Sequence, residues 1–136
     1  MRRYRLIQHT ADTGLVAYGG TLAEAFANAA YGLFSIIAEL KGVKEVEARQ
    51  LEVSEEDPEA LLVEWLNSLI YIFDVEMLLL KRFDIGYFDS NTLKATCYGE
   101  RYDPSHHQLK IGVKAATYHM LKVDEGRNRV QVIFDV

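Results

Sequence analysis

The strongest helix signal in the chain is the stretch DPEALLVEWLNSLIYIFDVE, residues 57–76. It opens with Asp57, a residue type that caps helix N-termini, and with Pro58, whose missing N–H is tolerated in a first helical turn. The apolar residues that follow recur at helical spacing: Leu61, Leu62, Trp65, Leu66, Leu69, Ile70 and Phe73. We therefore expect a long helix with one wide face in the core.

A second helix is predicted on the N-terminal side of this stretch. Thr21 followed by Glu24 is a capping-box pattern, and it comes directly after a pair of glycines. Apolar residues then recur at helical spacing, so the helix should run to about Glu39 before Gly42 stops it.

Most of the remaining chain shows the alternation of β-strands. We expect strands at 3–9 and 13–19, a hairpin formed by 84–88 and 93–100 around a turn at 89–91, and strands at 109–115, 117–123 and 129–136. Strand pairs, two helices and a run of strands predict an α+β fold, in which two main helices pack on a mixed or antiparallel sheet. The length of 136 residues suits a single domain over 1–136.

In the segment between the two predicted helices, the alternation of apolar and polar residues changes phase. Val46 and Ala48 share one side of a strand, whereas Leu51 and Val53 fall on the other side. We therefore expect a bulge or break near residues 49–50.

Composition limits the class of partner. The formal charge is −5, and nucleic-acid affinity relies on dense Lys and Arg, so nucleic acid is not expected as the main partner. We interpret two local basic clusters as solvated surfaces, or as a rim that meets an acidic protein: Arg2, Arg3 and Arg5, and Lys81 and Arg82.

Cysteine content and hydropathy indicate a cytoplasmic protein with no membrane partner. The one cysteine, Cys97, excludes an internal disulfide and alternates with Leu93 and Ala95, so a buried, unreactive thiol is expected. The start of the chain lacks the apolar stretch of a signal peptide. Polar residues interrupt the longest apolar segment, which therefore does not fit a membrane span: Glu64, Asn67, Asp74 and Glu76.

Residues able to bind a cation gather at the two ends of the chain. The stretch HTADTGLVAYG, residues 9–19, places His9 and Asp12 where the first predicted strand ends. The last predicted strand ends in Asp135 and Val136, whose main-chain carboxylate is expected beside the Asp135 side chain. Adjacent carboxylates suit hard cations such as calcium or magnesium. If the two ends are neighbours, Asp12 completes an oxygen-rich site.

Each of these residues also has an ordinary structural interpretation. Asp12 fits an Asx-turn cap, and Asp135 fits a solvated terminal residue. For His9 we favour a hydrogen bond that orients a neighbouring carboxylate over direct metal binding.

Two further residues are candidates for contact with a partner. Lys114 lies on the open side of a predicted strand, where it is either solvated or balances the charge of a carboxylate cluster. Glu100 is a candidate for the same acidic surface. The pair His106-His107 lacks a spaced second pair and is a weak zinc signal. No phosphate-binding glycine loop or serine-nucleophile motif is present, so the sequence indicates no reaction.

Five blocks in order resemble the archease family over essentially the full length: HTADTGLVAYG, TLAEAFANAAYGLFSII, LLVEWLNSLIYIFD, GERYDPSHHQLKIGVKAATYH and the closing VIFDV. The resemblance implies a non-enzymatic partner of the GTP-dependent tRNA-splicing RNA ligase, which promotes guanylylation and repeated turnover of that ligase. It also implies an α+β fold with a divalent cation at an acidic tip, calcium first, with magnesium or manganese as alternatives.

Carried over residue by residue, the resemblance places the functional aspartates on Asp12 and Asp135 and the functional lysine on Lys114. An alternative that the family also suggests is a chaperone-like role towards a tRNA cytosine-5 methyltransferase. A second alternative, from another class, is a metal-dependent phosphoester hydrolase that uses Asp12, Asp135 and a bound water.

Overall fold

The structure, a computed structural model, describes residues 2–8 and 13–136. The elements follow in the order β1 Tyr4–Gln8, β2 Thr13–Tyr18, α1 Leu22–Ile37, β3 Glu47–Ser54, α2 Pro58–Glu76, β4 Leu78–Phe88, β5 Thr92–Arg101, β6 Ala115–Asp124 and β7 Arg129–Asp135. A single 3₁₀ turn, Glu125–Arg127, joins the last two strands.

The strands form two sheets, and every strand pairing within the described residues is antiparallel. The first sheet has the order β1-β2-β7-β6 and the second has the order β3-β5-β4. Each helix contacts strands of both sheets, so one apolar core joins all the layers. Trp65 is fully buried there, and its indole N–H donates to the carbonyl of Phe26 on α1 at 3.0 Å. The predicted α+β class with two packed helices is confirmed, with two sheets in place of one.

Both helices begin where the capping patterns place them. The Thr21 hydroxyl accepts from the Glu24 N–H at 3.1 Å, and the Asp57 carboxylate accepts from the Ala60 N–H at 2.7 Å. Each bond satisfies a main-chain donor that has no partner inside the first helical turn. Six of the seven apolar residues predicted for the core face of α2 are buried, and Phe73 is half-buried.

The predicted end of α1 was wrong. The helix ends at Ile37, about two residues before the expected end, and Gly42 does not stop it. Ala38 is extended, with φ −153°, and forms a β-bridge with Leu109. The N–H of Glu39 then donates to the Gln108 carbonyl at 2.9 Å. A partner distant in sequence therefore supplies the hydrogen bonds that end the helix.

The bulge predicted near residues 49–50 was also wrong. Strand β3 pairs with β5 without a register shift, from Glu47 opposite Gly99 to Ser54 opposite Thr92. The apparent phase change arises because Val46 precedes the strand and is exposed to 67%. Arg49 takes an inward position because its guanidinium donates to Glu76 on α2 at 2.7 Å. The register shifts of this sheet lie in β4 instead.

Strand β4 begins earlier than expected. The hairpin strand was predicted from residue 84, but β4 starts at Leu78. Met77 adopts a left-handed conformation, with φ 53°, and turns the chain directly from α2 into the strand. No loop is needed, and residues 78–80 are fully buried.

Of the three strands predicted after residue 108, those at 117–123 and 129–136 are confirmed, and the one at 109–115 was wrong. Residues 109–114 form an extended segment along the end of α1, where the Lys110 N–H donates to the Ile37 carbonyl at 2.8 Å. The next strand, β6, starts at Ala115 and contains the whole of the segment predicted as 117–123. The segment 109–114 follows the α1 terminus because carbonyls there lack partners inside the helix.

The buried position predicted for Cys97 is confirmed. The Cys97 side chain is fully buried, and burial raises the pKa of its thiol to about 12, with a smaller contribution from Asp84. No helix among the described residues has the length and apolar character needed to cross a membrane.

Candidate cation and partner site

The first described residue of β2 and the last residues of β7 lie at one end of the first sheet. Thr13, which follows Asp12 in the sequence, pairs with Phe134. On the other side of β7, Ala115 pairs with Asp135. The pairing therefore brings together the start of β2, the start of β6 and the end of β7.

Lys114 lies directly beside Asp135. Its main-chain N–H donates to the Asp135 carbonyl at 2.8 Å. Both residues are exposed, and Val136 is exposed to 41%. Within residues 2–8 and 13–136, neither the Asp135 carboxylate nor the Lys114 ammonium takes part in an ion pair. This sheet end therefore carries a carboxylate and an ammonium group that form no ion pair among the described residues.

Asn67 on α2 holds the start of β6 in place. Its side-chain oxygen accepts from the Ala116 N–H at 2.7 Å, and its amide nitrogen donates to the Ala116 carbonyl at 3.4 Å. Because Ala115 pairs with Asp135, this contact also positions the end of β7. From the sequence, Asn67 was noted only as a polar residue that interrupts an apolar segment. No local sequence pattern shows which strand its side chain contacts.

His9 and Asp12 lie outside the described residues, so their roles stay predictions. Among residues 2–8 and 13–136, no three His, Cys, Asp or Glu side chains come together as a metal site. The described donors are the Asp135 carboxylate and the adjacent Val136. Calcium takes six to eight oxygen ligands, so these two residues fit part of a cation site and need further donors.

Glu100 lies in the second sheet, on β5, whereas Asp135 lies in the first. Its carboxylate accepts from the Lys44 N–H at 3.1 Å and contacts His107 Nε2 at 2.8 Å. The Lys44 hydrogen bond, followed by the His107 hydrogen bond, lowers the pKa of Glu100. These contacts give Glu100 a local structural role, and its predicted part in partner binding stays a prediction.

His107 has a buried structural position. Its Nδ1 accepts from the Asp103 N–H at 2.9 Å, so the ring proton of the neutral form lies on Nε2 and is donated to Glu100. The neighbouring His106 is exposed. The buried His107 ring therefore stabilises the loop, whereas the His106 ring is exposed to solvent.

Sequence reasoning missed a cleft that we call the lysine cleft, defined by Tyr4, Tyr31, Lys41, Lys81 and Lys110. Its residues come from five separate parts of the chain, so no local sequence pattern predicts the cleft. The basic N-terminal cluster was interpreted from the sequence as a solvated surface, or as a rim that meets an acidic protein. In the structure, the Arg3 guanidinium lies 3.8 Å from the centre of the Tyr31 ring.

Known proteins match this chain along its whole length. The family model described as "Archease protein family (MTH1598/TM1083)" matches residues 4–136. A protein named "Protein archease" from Pyrococcus abyssi is 39% identical, and the match covers 100% of both chains. One of the same name from Sulfurisphaera tokodaii is 36% identical, over 100% of this chain and 99% of the relative.

Two solved structures share the fold. The solution structure of protein 1598 from Methanobacterium thermoautotrophicum is 34% identical, covers 100% of both chains and superposes with a TM-score of 0.83. The crystal structure of an archease described as a possible chaperone, from Thermotoga maritima, is 23% identical, with a TM-score of 0.64 over 100% of this chain and 98% of the other. From the full-length family match and the identity to these relatives, the chain belongs to the archease family.

Proposed function

We propose that this chain is a non-catalytic protein activator of a GTP-dependent tRNA-splicing RNA ligase. The observation that best supports a defined activating site is the strand pairing of Thr13 with Phe134 and of Ala115 with Asp135. It brings the residue that follows Asp12 to the same sheet end as Asp135 and Lys114. The link to the ligase itself rests on the family resemblance.

The proposed site binds a divalent cation through Asp12, Asp135 and Val136. When bound, the cation supplies positive charge that neutralises the carboxylates. Asp135 has no counter-ion among the described residues, which leaves its oxygens open to a cation. Lys114 is held beside this group through its main-chain bond to Asp135, and its ammonium is open to an acidic group on the ligase.

Activation requires that this sheet end bind one state of the ligase better than another. A partner with equal affinity for both states shifts no equilibrium, however tightly it binds. We infer that the sheet end prefers the ligase state competent for guanylylation. The net charge of −5 also favours fast encounter with a basic RNA-binding enzyme, in a salt-dependent way.

The test is multiple-turnover RNA ligation with the ligase in excess over this chain. The wild-type chain should raise turnover at a substoichiometric dose, whereas Asp12→Ala and Asp135→Ala should lose most of the stimulation. The matched control is Asp74→Ala, which removes an exposed aspartate about 10 Å along α2 from Asn67, the helix residue that contacts the start of β6. Full stimulation by both site variants would contradict the proposed site.

The same experiment separates the hydrolase alternative. The chain alone, with magnesium or manganese, should leave model phosphoesters unchanged. Turnover of such esters that disappears in Asp135→Ala would contradict the activator and favour a hydrolase.

A chaperone-like role is the second candidate, because the Thermotoga maritima relative is described as a possible chaperone. The proposed client is a tRNA cytosine-5 methyltransferase. This role predicts a change in the oligomeric state or site selectivity of that enzyme, with no effect on RNA joining. Light scattering and methylation mapping of the methyltransferase, with and without this chain, distinguish the two candidates.

A further inference from the structure

The lysine cleft is a cavity of about 420 Å³ beside the C-terminal half of α1. Tyr4 comes from β1, Tyr31 from α1 and Lys81 from β4, whereas Lys41 and Lys110 come from the loops that flank the α1 terminus. Three lysines from three different parts of the fold therefore line one opening.

Two of the three ammonium groups are fixed by main-chain carbonyls. Lys81 Nζ donates to the Val43 carbonyl at 3.0 Å, and Lys110 Nζ donates to the Ser35 carbonyl at 2.8 Å. An ammonium has three N–H donors, so each of these lysines keeps donors for a ligand. Among the described residues, none of the three lysines of the cleft forms an ion pair with a carboxylate.

The charge of the cleft is opposite to that of the chain. Three lysines and one acidic residue, Glu39, line it, which gives +3 − 1 = +2 in a protein of net charge −5. The Glu39 carboxylate accepts from the Lys41 main-chain N–H at 3.2 Å and so is partly engaged. A local excess of cations in an acidic chain points to an anionic ligand.

Two tyrosine rings line the same cleft as these cations, and Arg3 lines a neighbouring cleft that shares Tyr31 and Lys81. The Tyr4 and Tyr31 ring centres lie 6.1 Å apart, and the rings are tilted by 57°. The Arg3 guanidinium covers one face of Tyr31 and donates through Nε to Asn28 at 2.9 Å. Planar groups next to lysines suit a nucleotide, because bases stack on aromatic and guanidinium planes while the phosphates meet the ammonium groups.

We propose that the lysine cleft binds the phosphate groups of a short single-stranded RNA segment. This site is distinct from the sheet end that carries Asp135. Tyr4 begins β1 and pairs with Ala17, whereas Gln8 ends β1 and pairs with Thr13. The two ends of β1 are separated by about 13 Å, at roughly 3.3 Å per strand residue. RNA binding in the cleft is therefore tested on the isolated chain, without metal and without the ligase.

The test is a ¹H–¹⁵N NMR titration of the isolated chain, without metal, using a mixed-sequence RNA tetranucleotide with a 5′-phosphate. The amides around residues 31–41, 81 and 110 should shift in a saturable way. Lys81→Gln and Lys110→Gln keep a side-chain donor for the carbonyl but remove the charge. Each should weaken binding about tenfold and reduce the slope of log affinity against log salt by about 0.7.

The control variant is Lys94→Gln, which removes an exposed lysine from the second sheet and should bind as the wild type does. Parallel titrations use the RNA without its 5′-phosphate, inorganic phosphate, and poly-glutamate. If inorganic phosphate binds equally well at the same amides, the cleft is a phosphate-binding site, but its ligand is a free anion and not RNA. The absence of saturable shifts with RNA and phosphate would overturn the proposal. Shifts with poly-glutamate alone would also overturn it, in favour of an acidic protein partner.

Discussion

At the scale of single residues, His107 shows how one buried ring organises a loop. It accepts from the Asp103 N–H and donates to Glu100, whose carboxylate also accepts from the Lys44 N–H. These bonds stabilise the charged form of Glu100 over its protonated form, so the pKa of Glu100 is lowered from its usual 4.5. A carboxyl group whose pKa falls on folding makes stability depend on pH.

Glu100→Gln should reduce the acid sensitivity of the fold. In the wild type, the contribution of the charged Glu100 is fully present above pH 4.5 and is lost as the pH falls through the lowered pKa. The variant lacks this contribution at every pH. Its free energy of unfolding should therefore change less than that of the wild type between about pH 5 and pH 3, measured by urea denaturation. Equal pH dependence in the two proteins would contradict the assigned bonds.

Gly99→Ala should destabilise the protein strongly. A Cβ added at Gly99 would lie 1.8 Å from the carbonyl oxygen of Leu79, in the backbone of the paired strand β4. Backbone atoms cannot move aside cheaply, so we expect a loss of roughly 3 kcal/mol or more in the free energy of unfolding. The control is Gly86→Ala, since a Cβ there meets nothing within 4 Å. Similar stability of the two variants in chemical denaturation would contradict the close approach of β4 and β5.

At the scale of elements, the sequence predicted what local chemistry determines. Asp57 and Pro58 start α2, and Thr21 caps α1, because a helix start is decided by residues within one turn. The end of α1 depends instead on pairing with residues 108–111, about 70 positions away. Segment 109–114 alternates as a strand does, but a helix terminus supplies its hydrogen bonds. Periodicity shows which side of a segment is buried and cannot show what it is buried against.

Asp57→Ala should cost about 1 kcal/mol in the free energy of unfolding, the usual effect of removing an N-cap. The Ala60 N–H would lose the 2.7 Å bond that the carboxylate accepts. Asp74→Ala, near the other end of the same helix, removes an exposed charge and should be close to neutral. Thermal and urea denaturation compare the two variants. An equal effect of both would show that the cap contributes nothing specific.

At the scale of the whole molecule, the Asp135 end of the first sheet and the lysine cleft are two separate charged sites. The position of Asp135 follows from the predicted strand at 129–136, because local alternation shows that residues 129–135 form a strand. Its neighbours are a product of topology, since β7 lies between β2 and β6 and so meets Thr13 on one side and Ala115 on the other. The lysine cleft also depends on topology, so from the sequence the clusters at Arg3 and Lys81 were interpreted as solvated surfaces, or as a rim that meets an acidic protein.

The proposed activating site requires that Asp12 and the end of β7 together hold a divalent cation. Paramagnetic broadening by Mn²⁺, followed by ¹H–¹⁵N NMR of the 15.5 kDa chain, tests it directly. Substoichiometric Mn²⁺ should first broaden the amides of Thr13, Lys114, Phe134 and Asp135, and leave those of Tyr31 and Lys81 sharp. Asp12→Asn and Asp135→Asn should each abolish this selectivity. Uniform broadening in the wild type, or selective broadening that survives in both variants, would contradict the claim.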